Sequence, residues 1–86
     1  FIQELDRQYQ LSYDKKIGLI MHLSGVICSL VDNVPIPKKY NYKNIISTHK
    51  KTYEYLYDLV EMIEEPFHIQ FSDSDIASLI TIIKEI

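Results

Sequence analysis

The residue best placed to do chemistry is His22. Three and four positions from it along a helix lie Gly25 and Gly18, with Ser29 one turn further on. Gly18, His22, Gly25 and Ser29 therefore share one stripe, on which every neighbour of the imidazole is small. Glycine in a helix interior costs about 1 kcal/mol relative to alanine, so two of them call for something to offset them. One reading is close helix packing, with His22 a hydrogen-bonded core residue. The other is that the glycines clear room around a reachable ring. Neutral imidazole is a good nucleophile near neutral pH and can accept a phosphoryl group. Spacing alone leaves both readings open.

The other candidate groups are weaker. His49 falls on the apolar stripe of a later periodic run and reads as a partly buried packing residue. His68 follows Pro66 in a short extended segment, where a surface or structural role is expected. Both rank as secondary acceptors behind His22. The three histidines lack His-x-x-x-His spacing, so no metal site and no cofactor are expected. There is no Ser-His-Asp order, no phosphate-cradling glycine loop and no paired carboxylate in a plausible cleft, so the chain reads as a non-enzyme. Lys38, Lys39 and Lys43 interleave with Tyr40 and Tyr42, followed by Lys50 and Lys51. Bases among aromatics can bind single-stranded nucleic acid, but so few lysines read better as a solvated loop or a dock for an acidic partner. No direct nucleic-acid contact is expected. Tyr53, Tyr55 and Tyr57 cannot share one helical face, so Tyr53 is expected to face the core and one of the others an interface. Glu61, Glu64 and Glu65 read as a solvated helix end.

His22 must be held by the elements around it. Ile2, Leu5 and Tyr9 share one face of a helix over the first ten residues. Ser12 or Asp14 is placed to cap a second helix, expected from about Lys15 to Val31. Its apolar residues cover most of its circumference, which puts this helix at the centre of a bundle. Pro35 and Pro37 make the following connection extended. From Tyr42 to Glu65, Ile46, His49, Tyr53, Leu56, Val60 and Ile63 recur at helical spacing. This is one long helix or two shorter ones bent near His49 to Thr52. Its lysines come first and its acids last, against the helix dipole, which favours a break. Pro66 should end the run, with 67–71 extended. Ser72 then caps the last helix with Asp75 three residues on, and Ile76, Leu79, Ile80 and Ile83 form its buried stripe. The expected fold is all-α, a compact bundle of four to five helices.

The bulk numbers agree. The chain has 86 residues, 47% of them hydrophobic, which suits one domain with one modest core. It begins at Phe1 rather than Met and stops at Ile86 inside an apolar periodic run, so the expectation is a single domain over 1–86, a fragment of a larger multidomain protein. No apolar stretch reaches the roughly 18 residues of a membrane span, and nothing resembles a secretory signal. Cys28 is the only cysteine and reads as core packing. The expected setting is a reducing cytoplasm. Lysines occupy the middle of the chain and acids follow them, so the net charge of −3 is strongly polarised.

The stretch from Ile17 through Gly18, His22 and Gly25 to Ile27 resembles the first histidine motif of the PTS regulation domain, or PRD, of bacterial regulators of sugar uptake. After a connection and a long helical run, the stretch from Ile63 through Pro66, Phe67 and Ser72 to Ile76 is similar to another part of the family pattern. There an acidic helix end and a Phe lead into an acidic helix start. The resemblance spans about Asp14 to Ile86, and the His22 segment looks closer to LevR-like activators than to BglG-like antiterminators. It implies a helical regulatory domain of an activator or antiterminator, homodimeric, acting on other domains of its parent. His22 would accept a phosphoryl group from HPr or an enzyme II component of the phosphotransferase system. The family often carries a second acceptor histidine in its last helix. Ile82 stands at that position here, which implies a one-histidine domain or a degenerate one that only associates.

Overall fold

A side chain able to take up a free backbone amide fixes where the two longest helices start. In the computed structural model, which describes residues 1–86, Ser12 Oγ accepts from Lys15 N at 3.2 Å and opens α2, Tyr13–Val31. Ahead of it, α1 (Ile2–Tyr9) ends in a left-handed Gln10, and Leu11 N donates to Asp6 Oδ1 at 2.9 Å. The left-handed Asn33 follows α2, and 34–40 runs as an irregular connection carrying Pro35 and Pro37.

The periodic run after it breaks twice rather than once, into α3 (Tyr42–Thr48), α4 (Lys50–Leu59) and α5 (Glu61–Phe67). The first break is at His49, where φ −117° and ψ 49° interrupt the helix. The second, at Val60, is slight. Val60 keeps helical torsions, its N–H donates to Leu56 O and its own O accepts from Glu64 N, so α4 and α5 form one kinked rod. Counted that way, the chain has five helices, all-α as expected. Pro66 does not end the run. A proline removes one amide donor but does not itself force a turn. The stop comes at His68, whose left-handed conformation (φ 53°) closes α5. Ser72 and Asp75 then form a full capping box, with Asp75 N to Ser72 Oγ at 3.1 Å and Ser72 N to Asp75 Oδ2 at 3.0 Å. This opens α6, Asp73–Lys84.

The centre of the domain is α6, not α2. The last helix packs against α2, α3 and α4, and Ile76, Ala77, Leu79, Ile80 and Ile83 are all buried. Of the apolar circumference of α2, only Leu19, Leu23 and Val26 are buried, while Ile17, Ile20, Met21 and Val31 remain exposed. The physical reason is supply. A domain this small buries few residues, 17 of 86 here, and its other helices suffice to cover one side of α2. Cys28 lies on the uncovered side and is exposed, against the expectation of core packing.

α2 and α6 run antiparallel. Lys15 Nζ donates to Ile83 O at 2.8 Å, a cation at the carbonyl end of α6, and also faces Glu85 at 3.8 Å. One turn on, Gly18 lies against Ile82. His22, a further turn along, reaches the level of Asp75 at the start of α6. The connection closes the same end, because Lys39 N donates to Ser74 Oγ at 2.8 Å.

The remaining polar side chains serve the framework. Tyr53 is half-buried and donates to Asp73 Oδ1 at 2.7 Å, which pushes its hydroxyl up to about 12. Tyr55 donates to Glu4 O at 3.2 Å and meets the Tyr9 ring edge-on, so it ties α4 to α1, while Tyr57 is the exposed one. Glu64 departs from the expectation of a solvated cluster. Its Oε2 accepts from Phe71 N at 2.7 Å and holds the turn between α5 and α6, whereas Glu61 and Glu65 are exposed.

Candidate functional site

His22 sits at the border between the buried and exposed sides of α2, with Leu23 turned inward and Met21 outward. Its ring is half-buried and lines an open cavity of about 340 Å³ with Met21, Gly25, Val26, Ser29 and Ile36. Ile36 comes from the connection, so the cavity lies between α2 and the chain that leaves it. Nε2 is buried and meets no hydrogen-bond partner. An unsatisfied buried polar atom is uncommon and costs about 1–3 kcal/mol. The reading of His22 as a hydrogen-bonded core residue therefore does not describe this ring.

The small residues of the stripe divide into two roles. Gly25 and Ser29 line the cavity beside His22. Gly18 faces Ile82 instead, where an added Cβ would stand 3.9 Å from its Cγ2, an ordinary contact. At Gly25 an added Cβ would meet nothing within 4 Å. Neither glycine has a positive φ. Close helix packing within this chain thus requires neither, and at Gly25 the missing side chain leaves open space beside the ring. Gly25→Ala is expected to raise stability by about 0.5–1 kcal/mol through helix propensity alone. Thermal unfolding followed by helical circular dichroism reads this directly, and a loss of stability would mean that the glycine is needed for packing.

Two charged groups bear on the ring, and no local spacing pointed to either. Asp75 is buried in the capping box of α6, and Lys39 is half-buried on the connection. Burial pushes the His22 imidazole below its ordinary value of 6.5, the Asp75 carboxylate opposes the shift, and the Lys39 ammonium adds to it. The ring is held neutral at neutral pH, the form with a free lone pair. The unfolded chain binds this proton more readily than the folded one. Stability from His22 is therefore complete above the unfolded value near 6.5 and is lost as pH falls through it toward the folded value. Urea midpoints measured from about pH 8 down to about pH 5 should fall more steeply for the wild type than for His22→Gln. Parallel curves would contradict a depressed imidazole.

The structure does not bring the other histidines to this cavity. His49 is half-buried at the joint of α3 and α4, and His68 is exposed at the end of α5. Lys43 and Lys50 line a separate cavity of about 430 Å³, whose walls also carry Glu54 and Asp73, a mixed rather than a basic surface. No group of His, Cys, Asp and Glu side chains is arranged to hold a metal ion. No helix is long and apolar enough to cross a membrane.

No curated protein and no solved structure matches the chain. The family model of the PRD domain matches residues 1–86. PRD domains are regulatory rather than catalytic and are controlled through the phosphotransferase system, as the resemblance of the His22 segment implies. By this match the chain, over its full 86 residues, belongs to the PRD domain family.

Proposed function

We propose that the chain is the phosphorylation-controlled domain of a larger cytoplasmic transcriptional regulator of sugar-uptake genes, an activator or an antiterminator, with His22 as the phosphoryl acceptor. The observation that carries this reading is the His22 ring itself: half-buried, neutral and at an open cavity, with Nε2 unpartnered, in a PRD domain. HPr or an enzyme II component presents a phosphorylated side chain at the cavity. A ring nitrogen with a free lone pair attacks phosphorus, the donor's bond to phosphorus breaks, and a nitrogen–phosphorus bond forms on His22. The ring keeps its proton on its other nitrogen. Because Nε2 is turned inward, transfer to it requires the ring to rotate about its Cβ–Cγ bond, for which the space beside Gly25 leaves room. Transfer to Nδ1 requires no such rotation.

The product replaces a neutral ring with a group of roughly −1.5 to −2 charge. The homodimer and the other domains of the parent would read that charge as a change of assembly. Incubation with phosphoenolpyruvate, enzyme I, HPr and enzyme II components, followed by intact-mass spectrometry, tests the proposal. The expected result is a gain of one acid-labile phosphoryl group. No gain, with each component active on another acceptor, would refute it.

A second reading has its own support. The exposed apolar side of α2, with Ile17, Ile20, Met21 and Val31, suits a degenerate domain that acts by association alone. That reading expects His22→Ala to alter oligomer stability and no phosphorylation to occur.

A further inference from the structure

Lys39 is a half-buried cation without a carboxylate partner. The ion pairs of the chain join Arg7 to Glu4, Lys15 to Glu85 and Lys16 to Asp6, and none includes Lys39. Its backbone is fixed, with the N–H donating to Ser74 Oγ at 2.8 Å in the first turn of α6. Three residues earlier on the same connection, Ile36 forms part of the wall of the His22 cavity. The connection therefore walls the cavity at Ile36 and, three residues on, holds a cation against the first turn of α6, near enough to act on the His22 ring. Asp75, the carboxylate that bears on the His22 ring from α6, has one oxygen occupied by the Ser72 amide.

We propose that Lys39 is the phosphoryl-binding residue of this site: its ammonium pairs with the phosphoryl oxygens on His22 and draws the connection of residues 34–40 against α2 and α6. The inference rests on His22 taking a phosphoryl group, but not on which protein delivers it. Before modification, the neutral His22 ring offers the Lys39 ammonium no anionic partner. The phosphoryl group supplies the dianionic partner that this ammonium lacks, in a charge-assisted pair. Repulsion from Asp75 turns the phosphoryl oxygens in the same direction, away from α6 and toward the connection. The covalent change on α2 then becomes a tightening of the segment that leads into α3, and the Lys39 amide bond to Ser74 is its reporter.

Phosphoramidate tests this without any protein donor. Its nitrogen–phosphorus bond breaks as the bond to His22 forms, and ammonia leaves. The protein carries His49→Gln and His68→Gln so that only His22 reacts. Hydrogen exchange of the residue 39 amide is followed by NMR before and after modification, in Lys39, Lys39→Gln and Lys39→Arg forms. Phosphorylation is expected to slow that exchange about tenfold with Lys39, as a charge-assisted pair would. It should leave the exchange unchanged in Lys39→Gln and slow it again in Lys39→Arg. Equal slowing in Lys39→Gln, or none with Lys39, overturns the proposal, as does failure of His22 to react. Modification by phosphoramidate with the expected exchange pattern, but none by the phosphotransferase proteins, would uphold the clamp and refute the proposed function alone.

Discussion

An Ile80→Ala substitution is expected to cost about 2–5 kcal/mol of folding stability, the range for removing a fully enclosed branched side chain. Ile80 has no exposed surface and lies on the helix that α2, α3 and α4 all pack against. In a domain of this size each kcal/mol shifts the unfolding temperature by about 4–8 °C, so a fall of roughly 10 °C or more should follow. Against a total stability of about 5–15 kcal/mol, that loss leaves a marginal fold. Met21→Ala on α2 is expected to change stability by less than about 0.5 kcal/mol, because Met21 is 70% exposed. Thermal unfolding of the two variants side by side distinguishes α6 from α2 as the structural centre. Equal damage from both would contradict the packing described here.

That contrast marks where the sequence was informative and where it was not. Short-range signals carried well. The Ser72 and Asp75 pair is a capping box because both bonds are made within one turn, and Ile76, Leu79, Ile80 and Ile83 form the buried stripe their spacing implies. The break at His49 falls where a bend was expected, but the charge order did not place it, since Lys50 and Lys51 lie beyond it and open α4. What periodicity cannot report is how many neighbours a helix will have. Ile17, Ile20 and Met21 make α2 look central, and the rest of the chain lacks the helices to cover them. Pro66 misled for a related reason: the left-handed turn one residue after Phe67, not the proline, ends α5.

Among the histidines, His22→Ala is expected to abolish phosphoryl incorporation, whereas His49→Ala and His68→Ala should each retain it. The effect at His22 is all or none because the substitution removes the attacking atom itself. His49 lacks the cavity and His68 is a turn residue on the surface, so neither offers a donor a comparable seat. The loss must be separated from unfolding. His22 is half-buried, and His22→Gln keeps much of its volume while removing the nucleophile. A folded His22→Gln protein that incorporates phosphate as fast as the wild type would contradict the assignment.

The stripe of Gly18, His22, Gly25 and Ser29 was legible because helical geometry brings near positions together, and the structure divides it further. Gly25 and Ser29 border the cavity, while Gly18 belongs to the packing against Ile82. Asp75, Lys39 and Ile36 had no such signal. They reach His22 through the antiparallel course of α2 and α6 and through the pinning of the connection by Ser74. Long-range placement of this kind depends on how the helices dock, which no local spacing encodes.

The central claim is that one residue, His22, carries the phosphoryl group. The most direct measurement is tandem mass spectrometry, under neutral conditions that preserve phosphohistidine, on the wild-type protein after incubation with the phosphotransferase proteins. The predicted result is phosphate on the peptide containing His22, with the peptides of His49 and His68 unmodified. Phosphate on either of those two instead, or on neither and not on His22 with a fully active donor system, would contradict the account.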